Sequence, residues 1–190
     1  VGVLEYARVY VDSPDPELTL LNMMRSNLTP NGVLILAIEN QLGLKYFSGS
    51  LEDHYGAPFF GVNDGYRRDG VTTFGRVELS KLLREAGFES LEVLAPLPDY
   101  KLPISVVRAE ADPVFEDVKS RLLEQSVSAD QQNAAHPTFS LERAWPVVNR
   151  NSLLPDLANS FLLVASRDAV VPEGVSAWHY SVDRHPAFTK

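Results

Sequence analysis

The sequence predicts an α/β fold in which helices cover a sheet that contains parallel strands. Two short apolar segments, residues 1–7 and 33–38, have the composition of buried strands. A helix signal lies between them, and strands joined through a helix run parallel with a right-handed crossover. A second helix and two further strand-like segments follow, so helices and strands alternate along the chain.

The first helix is predicted to begin at Asp15, Pro16 and Glu17. Aspartate can cap the free N–H groups, proline fits the first turn, and glutamate favours the positive end of the helix dipole. Leucine and methionine side chains recur on one face as far as Leu28. The turn "TPNG" then leads into the strand over residues 33–38, which we expect to be buried on both faces.

A long irregular segment separates this strand from the second helix. Residues 40–72 contain many glycine, asparagine and aspartate residues and show no sustained periodicity. Loops of that length inside a compact domain are usually functional. The second helix is predicted to be capped by Thr73 and to end at Gly87 and Phe88, a glycine followed by a hydrophobic residue.

The remaining segments predict one domain that carries an insertion. Strands are expected over residues 89–97 and 157–166. The insertion between them is expected to be mostly helical, and its last helix should end at Pro146. The predicted divisions are 1–97 with 157–167 as the main domain, 98–156 as the insertion, and 168–190 as a linker and the start of a following segment.

Composition argues against several classes of function. The 190 residues carry a net charge of −8, whereas a protein that binds nucleic acid non-specifically needs a basic face. No apolar run approaches the roughly 18 residues that span a bilayer, and no signal peptide is recognisable. Cysteine is absent, which rules out disulfides and thiolate metal sites. We expect a cytoplasmic protein with no nucleic-acid partner and no transmembrane segment.

Both ends of the sequence have the pattern of strand interiors. The chain opens on "VGVLEYA" without a starting methionine, and it ends on a segment with alternating apolar residues. We therefore expect a piece of a longer polypeptide. Loss of neighbouring strands would expose an apolar edge near residues 1–6, and such an edge is prone to pair with another copy. Self-association is the expected consequence.

Three motifs and their order resemble the C-terminal half of class I S-adenosylmethionine-dependent methyltransferases. These are "GVLEYA" at residues 2–7, "LTPNG" at 28–32 and "TFGRVELSKLLREAGF" at 73–88. The resemblance implies a partial Rossmann-like methyltransferase sheet with parallel strands. It also implies a terminal antiparallel pair, formed here by residues 89–97 and 157–166, and a helical insertion between these two strands.

Further motifs narrow the resemblance. "IENQLGLKYFSG", "EDHYG" and "PLPDYK" are similar to a bacterial subgroup found in multidomain proteins with glycosyltransferases of cell-surface polysaccharide synthesis. The implied reaction transfers a methyl group from S-adenosylmethionine to a hydroxyl of a sugar or phosphosugar. The family's glycine-rich cofactor motif is absent from these 190 residues. The donor would therefore bind in the full-length parent, and the isolated chain is expected to be inactive.

Polar residues follow the predicted strands at their carboxyl ends, where open α/β sheets bind ligands. They are Glu5 and Tyr6 after the first strand, and Glu39 and Asn40 after the second. The resemblance places Leu4, Glu5 and Tyr6 beside the methionine part of the cofactor, and Glu39 and Asn40 in the acceptor pocket. Two alternatives remain open, because Glu5 can bond a neighbouring loop and Asn40 can cap a turn.

His54 is the candidate general base. Imidazole titrates near neutral pH and can take the proton of a hydroxyl during methyl transfer, while Asp53 can orient the ring. The alternative is a solvated histidine, since methyl transfer needs mainly in-line positioning. No metal site is predicted at Glu52, Asp53 and His54, because adjacent residues on one loop rarely converge on one ion.

Basic and aromatic residues supply the other candidate contacts to the acceptor. Lys45 and Tyr46 can contact a sugar or phosphate, with the aromatic face beneath a ring. Tyr100 and Lys101, at the start of the insertion, are candidates for the same task. Packing of the loop onto the domain and ordinary surface salt bridges are the alternatives.

Two other functions remain open from the sequence alone. The chain can be an accessory region of a glycosyltransferase, or a non-catalytic binding or scaffolding domain. An upstream nucleotide-sugar domain with an Asp-x-Asp motif would favour the first of these. Upstream strands without a glycine-rich turn would favour the second.

Overall fold

A five-stranded sheet organises the chain in the computed structural model, which describes residues 1–110, 112, 114–167 and 175–180. The strands follow one another across the sheet in the order β1-β4-β2-β3-β5, and every neighbouring pair is antiparallel. Their bounds are β1 Val33–Glu39, β2 Ser90–Leu97, β3 Ser105–Arg108, β4 Ser160–Ser166 and β5 Ala177–His179.

Strand β4 lies between β1 and β2 and fixes their relative direction. Its last residue, Ser166, is paired both with Val33 of β1 and with Ser90 of β2. Because β4 is antiparallel to both neighbours, β1 and β2 run in the same direction without touching each other. The carboxyl ends of β1 and β2 therefore lie at the same end of the sheet, on either side of the first residues of β4.

The helices are short and surround this sheet. A 3₁₀ turn covers Leu4–Tyr6, and the α-helices are α1 Ala7–Tyr10, α2 Pro16–Ser26, α3 Leu44–Phe47, α4 Arg76–Glu85, α5 Glu116–Val127, α6 Leu141–Arg150 and α7 Leu154–Leu157. Helix α5 packs against α6 and against strands β2 and β3. The core unites buried side chains from the sheet and most helices, the largest being Trp145, Phe74, Phe88, Phe161, Leu4, Leu21, Leu36, Ile38, Leu79 and Leu83.

The prediction of a partial Rossmann-like sheet with parallel strands is wrong. Every pair of hydrogen-bonded neighbouring strands in the described sheet is antiparallel, and residues 1–7 form a 3₁₀ turn leading into α1 instead of the first strand. The physical reason lies in the burial pattern, because Leu4 and Ala7 are buried three positions apart while Val1 and Val3 are exposed. That spacing places one helical face on the core, whereas a strand would bury alternate residues.

The predicted positions of individual helices and strands agree with the structure better than the predicted direction of the strands does. Strand β1 and helices α2 and α4 lie close to their predicted positions, and β2 and β4 form an antiparallel pair. Helix α4 follows Gly75 instead of being capped by Thr73. Helix α6 continues through Pro146 to Arg150, and its Ser140 cap accepts a hydrogen bond from the Arg143 N–H.

The predicted insertion is not purely helical, because it contributes strand β3, which pairs with β2. Most of the predicted linker, residues 168–174 and 181–190, lies outside the described residues. Strand β1 forms one edge of the described sheet, and Val33 and Ile35 are 45% and 55% exposed. Its first half is therefore not buried on both faces, and the exposed edge lies here instead of at residues 1–6. Within the described ranges, no helix has the length and apolar character that a membrane crossing requires.

Candidate active site

The site lies at the end of the sheet where strands β1 and β2 both finish. Glu39 closes β1, and its carboxylate is 1% exposed. The segment after β2 brings Tyr100 and Lys101 to this carboxylate. Tyr100 donates its hydroxyl to Glu39 Oε1 at 3.0 Å, and Lys101 Nζ donates to the same oxygen at 2.5 Å. The backbone N–H of Tyr100 is held by Ser160 Oγ at the start of β4, at 2.9 Å.

The long loop after β1 carries His54 to the other oxygen of Glu39. Glu52 organises the turn, because its Oε2 accepts the backbone N–H groups of His54 at 2.8 Å and Tyr55 at 2.7 Å. His54 Nε2 then lies 3.8 Å from Glu39 Oε2. That distance is too long for a hydrogen bond, so the interaction is electrostatic. Neither of these two atoms has a hydrogen-bond partner among the described residues.

The N-terminal segment completes the cluster from a third direction. Glu5 is 2% exposed, and its Oε2 lacks a hydrogen-bond partner within the described ranges. Its backbone carbonyl accepts the Thr72 N–H at 2.9 Å, which ties the 3₁₀ turn to the end of the long loop. Tyr6 places its hydroxyl 3.4 Å from His54 Nδ1, and the two rings meet edge to face. We call Glu5, Glu39 and His54 the acidic cluster.

The pKa values in the acidic cluster shift for identifiable reasons. Burial raises the pKa of the Glu39 carboxyl, but interactions with His54 and Lys101 lower it by more, so Glu39 stays ionised. The Glu39 carboxylate raises the pKa of His54 above its ordinary 6.5, and burial only partly opposes this. Burial is also the main cause that raises the pKa of Glu5. The cluster therefore combines a fixed negative charge with two groups that can exchange protons.

The sequence suggested that Asp53 can orient His54, but in the structure Asp53 faces two lysines instead. Its Oδ2 accepts from Lys101 Nζ at 2.7 Å, and its Oδ1 lies 3.7 Å from Lys45 Nζ. Burial lowers the pKa of the Lys101 ammonium, but the hydrogen bonds to Asp53 and Glu39 raise it by more. Lys101 thus joins the end of β1 to the long loop as a stable cation, and Glu39 takes the place beside His54.

Three predicted contact residues lie inside the protein. Lys45 is 0% exposed, and its Nζ donates to Asp99 Oδ2 at 3.3 Å and to Gln132 Oε1 at 2.8 Å. Tyr46 is buried beside it, and Leu4 belongs to the hydrophobic core. None of these three side chains faces open solvent, so their predicted ligand contacts would need local opening.

Asn40 has the role that the sequence left open as its alternative. Its side-chain amide donates to the carbonyls of Asp156 at 2.8 Å and Ala158 at 2.7 Å, and its Oδ1 accepts the Leu42 N–H at 2.9 Å. Both amide hydrogens are therefore used within the protein. The side chain holds the loop after β1 against the segment before β4, and a contact between Asn40 and a ligand stays a prediction.

A cleft of about 560 Å³ opens at Asp53, the neighbour of His54 in the sequence, and no side chain of the acidic cluster lines it. One wall comes from the long loop and the other from residues 131–136 of the insertion, and Asp53 lies in the first wall. The two walls are joined where the Ala134 N–H donates to Ser50 Oγ at 3.2 Å. The lining residues are Gly49, Leu51, Glu52, Asp53, Gly56, Gln131, Gln132, Asn133, Ala134, Ala135 and His136. A volume of this size is typical of small-molecule sites.

The sequence did not single out the second wall as part of a site. Residues 131–136 are "QQNAAH", a polar segment without periodicity between two helices. Three consecutive amide side chains within this segment were the available signal, because each amide offers both a donor and an acceptor to a ligand hydroxyl. These amides lie opposite Asp53 because segments far apart in the sequence pack together. The hydrogen bond between Ala134 and Ser50, for example, joins residues 84 positions apart.

Comparisons with protein-family models, with curated proteins and with solved structures found no match to this chain.

Proposed function

We propose that the chain forms the acceptor side of an S-adenosylmethionine-dependent methyltransferase domain that acts on a hydroxyl of a sugar. The observation that carries the proposal is the meeting of Glu39 and His54, with His54 Nε2 free of hydrogen-bond partners among the described residues. The residue before His54, Asp53, lies in the wall of the cleft. A histidine paired with a carboxylate can take the proton of a hydroxyl. The nature of the transferred group rests on the resemblance of the sequence motifs.

The chemistry of the cleft favours a neutral sugar over a phosphosugar. Of its lining side chains, His136 is the one that can carry positive charge, whereas Glu52 and Asp53 contribute carboxylates. A phosphate group would find no arginine or lysine among the lining side chains, because the nearby Lys45 and Lys101 are already paired with Asp53. The amides of Gln131 and Gln132 offer paired donors and acceptors, which suit sugar hydroxyls.

The reaction can be written with the residues of the acidic cluster. The acceptor oxygen attacks the methyl carbon, the carbon–sulfur bond breaks, and its electron pair stays on sulfur, giving a neutral thioether. The hydroxyl proton passes to His54 Nε2, and the Glu39 carboxylate stabilises the resulting imidazolium. Holding the hydroxyl in line with the methyl group supplies most of the remaining rate enhancement.

The donor carries a positive charge on sulfur, and the site has an excess of carboxylates. Glu5 and Glu39 are both buried at this edge, so their field favours a cationic group nearby. Of the three residues that the resemblance places beside the donor, Leu4 is in the core. Glu5 and Tyr6 are therefore the contacts that this proposal retains.

The first test measures binding of the acceptor to the isolated chain, with NMR spectra of ¹⁵N-labelled protein as the readout. Neutral hexoses should shift the amide signals of residues 131–136, and the matching hexose phosphates should bind more weakly. Gln131→Leu should weaken binding about fivefold, the equivalent of one hydrogen bond of about 1 kcal/mol. Gln125→Leu, an exposed glutamine on α5 outside the cleft, is the matched control and should change nothing. Failure of every sugar to bind would refute the acceptor site.

The second test is methyl transfer in a longer polypeptide that contains this chain, supplied with methyl-labelled donor. There His54→Gln should lower kcat by about 100-fold or more, while acceptor binding changes less than about twofold. Sugar binding without any transfer would refute the methyltransferase assignment and leave a binding domain. The isolated chain should bind S-adenosylhomocysteine weakly or not at all.

A further inference from the structure

Glu5, Glu39 and His54 each direct one ligand atom toward a common point. One carboxylate oxygen from each glutamate and one ring nitrogen of His54 all lie within 4.8 Å of one another. Metal–ligand bonds of about 2.1 Å place ligand atoms roughly 3 to 4.2 Å apart around one ion. A small inward movement of these side chains would therefore complete three positions of a coordination sphere.

The same three side chains hold buried atoms with unused bonding capacity. Glu5 Oε2, Glu39 Oε2 and His54 Nε2 are buried and lack hydrogen-bond partners among the described residues. Glu5 is 2% and Glu39 1% exposed, so water does not readily satisfy their oxygens. Buried polar atoms are nearly always paired, and three unpaired atoms on the side chains of one cluster call for an explanation. A bound cation supplies one, because it would satisfy all three together.

The neighbouring cations are committed to other oxygens. Lys101 binds Glu39 through Oε1 and is shared with Asp53, and Lys45 lies against Asp53 and Asp99. Across the described ranges, Glu5 takes part in no ion pair. Lysine side chains therefore leave Glu5 and the second oxygen of Glu39 with His54 as their one neighbouring group that can carry positive charge among the described ion pairs.

We propose that Glu5, Glu39 and His54 bind one divalent first-row metal ion, Mn²⁺ or Zn²⁺. Two carboxylate oxygens favour a hard cation such as Mn²⁺, and an imidazole nitrogen extends the preference toward Zn²⁺. Three protein ligands leave positions open for water or for a substrate oxygen. The ligands come from three separate parts of the chain, unlike the adjacent Glu52, Asp53 and His54, of which Glu52 caps the turn and Asp53 faces lysines.

Neighbouring groups already orient the three ligands. Tyr100 and Lys101 hold Oε1 of Glu39 and so turn Oε2 toward the common point. The Tyr6 hydroxyl lies 3.4 Å from His54 Nδ1, the ring nitrogen that faces away from Glu39. Such outer hydrogen bonds are a regular property of metal sites, because they fix the ring orientation and the tautomer of a ligating histidine.

The ion gives the proposed reaction a second way to activate its hydroxyl, a role that rests on the proposed function. With the ion bound, His54 is a ligand, and the acceptor oxygen takes an open position. Coordination lowers the pKa of the hydroxyl, so its proton can pass to solvent before the oxygen attacks the methyl carbon. The binding of the ion itself does not depend on methyl transfer and can be measured on this chain.

The test is a calorimetric titration of the chelator-treated chain with MnCl₂ and, separately, with ZnCl₂. We expect one ion per chain, with affinity lowered at least about tenfold in Glu5→Gln, Glu39→Gln and His54→Gln. Glu142→Gln, which removes an exposed carboxylate of α6, is the control and should bind like the unaltered chain. No saturable binding, or equal affinity in all four variants, would overturn the inference.

A second measurement needs no variant and so survives any folding defect. Bound Mn²⁺ broadens NMR signals of nearby nuclei, and the amides of Glu5, Glu39 and His54 should be the first to disappear. Broadening centred on other acidic residues would also overturn the site. Ion binding without an effect of chelation on methyl transfer would remove only the catalytic role. Sugar binding and methyl transfer in a chain that binds no ion would refute this inference and leave the proposed function intact.

Discussion

Replacing Lys45 with methionine removes a buried cation while keeping much of the apolar stem of the side chain. Lys45 is 0% exposed, with its Nζ 3.3 Å from Asp99 Oδ2 and 2.8 Å from Gln132 Oε1. In Lys45→Met the carboxylate of Asp99 remains buried. Lys101, whose side chain is 41% exposed, is then its nearest cation, at 3.8 Å.

The size of the effect follows from what Asp99 keeps. Removal of one partner of a buried ion pair costs about 3–5 kcal/mol, because the other charge stays buried. Asp99 Oδ1 still accepts the Lys101 N–H at 3.0 Å. We therefore expect the lower end of that range, a decrease of about 3 kcal/mol in the free energy of unfolding.

Urea unfolding followed by circular dichroism measures this change. With a slope of about 2.5 kcal/mol per molar urea, the midpoint should fall by about 1.2 M. Lys81→Met is the matched control, because Lys81 makes a surface ion pair with Glu85 and its side chain is 75% exposed. Its expected cost is at most about 0.5 kcal/mol. Adding Asp99→Asn to Lys45→Met should recover part of the loss. A decrease below about 1 kcal/mol for Lys45→Met would refute the reasoning.

Three further predictions follow from the structure. In chelator-treated protein, the NMR titration midpoint of His54 should lie above 6.5, and Glu39→Gln should move it back toward that value. The stability from this pair should be present below pH 6.5 and lost as pH rises through the raised pKa, so a constant stability difference between wild type and Glu39→Gln would contradict it. Gly87→Ala should cost about 1–2 kcal/mol in thermal unfolding, because residue 87 has a φ of +84°, and an unchanged melting temperature would contradict this reasoning. Self-association through the edge of β1 should weaken in Ile35→Lys, and sedimentation showing a monomer at every concentration would count against that edge.

Local patterns were sufficient to predict the elements whose burial is regular. Strand β1 is an uninterrupted apolar run, and helix α4 shows leucines on one face followed by Gly87. Residues 1–7 are also apolar, but a run this short does not distinguish a strand from a helix. The predicted strand failed because the decisive fact, burial of Leu4 with Ala7, depends on the rest of the chain.

The order of the strands depends on long-range pairing, which no local pattern contains. The segment that forms β4 comes from the far end of the sequence and inserts between β1 and β2. Strand β3 has only four residues, Ser105–Arg108, within a segment that was predicted to be mostly helical. The prediction of parallel strands came from assuming that consecutive strands around a helix are neighbours, which this sheet does not obey.

Much of the candidate site was predictable as a set of residues but not as a set of contacts. The rule that ligands bind beyond strand ends pointed to Glu39, and the start of the predicted insertion pointed to Lys101; the two side chains contact each other in the site. The partner of His54 could not be predicted, since Asp53 is adjacent in sequence but faces Lys101, whereas Glu39 approaches from β1. The chemical types were readable from the sequence, and the pairings required the fold.

The central position of β4 has a consequence for how the protein is made. Strands β1 and β2 are not paired with each other, so β1 has no partner strand and β2 has only β3 until residues 160–166 have emerged from the ribosome. Until then, both strands expose unpaired backbone groups, which makes incomplete chains prone to aggregation. The backbone N–H of Tyr100 also lacks its hydrogen-bond acceptor until Ser160 has been synthesised. Completion of the sheet and assembly of the site are thus late steps of high contact order, and slow folding is their expected signature.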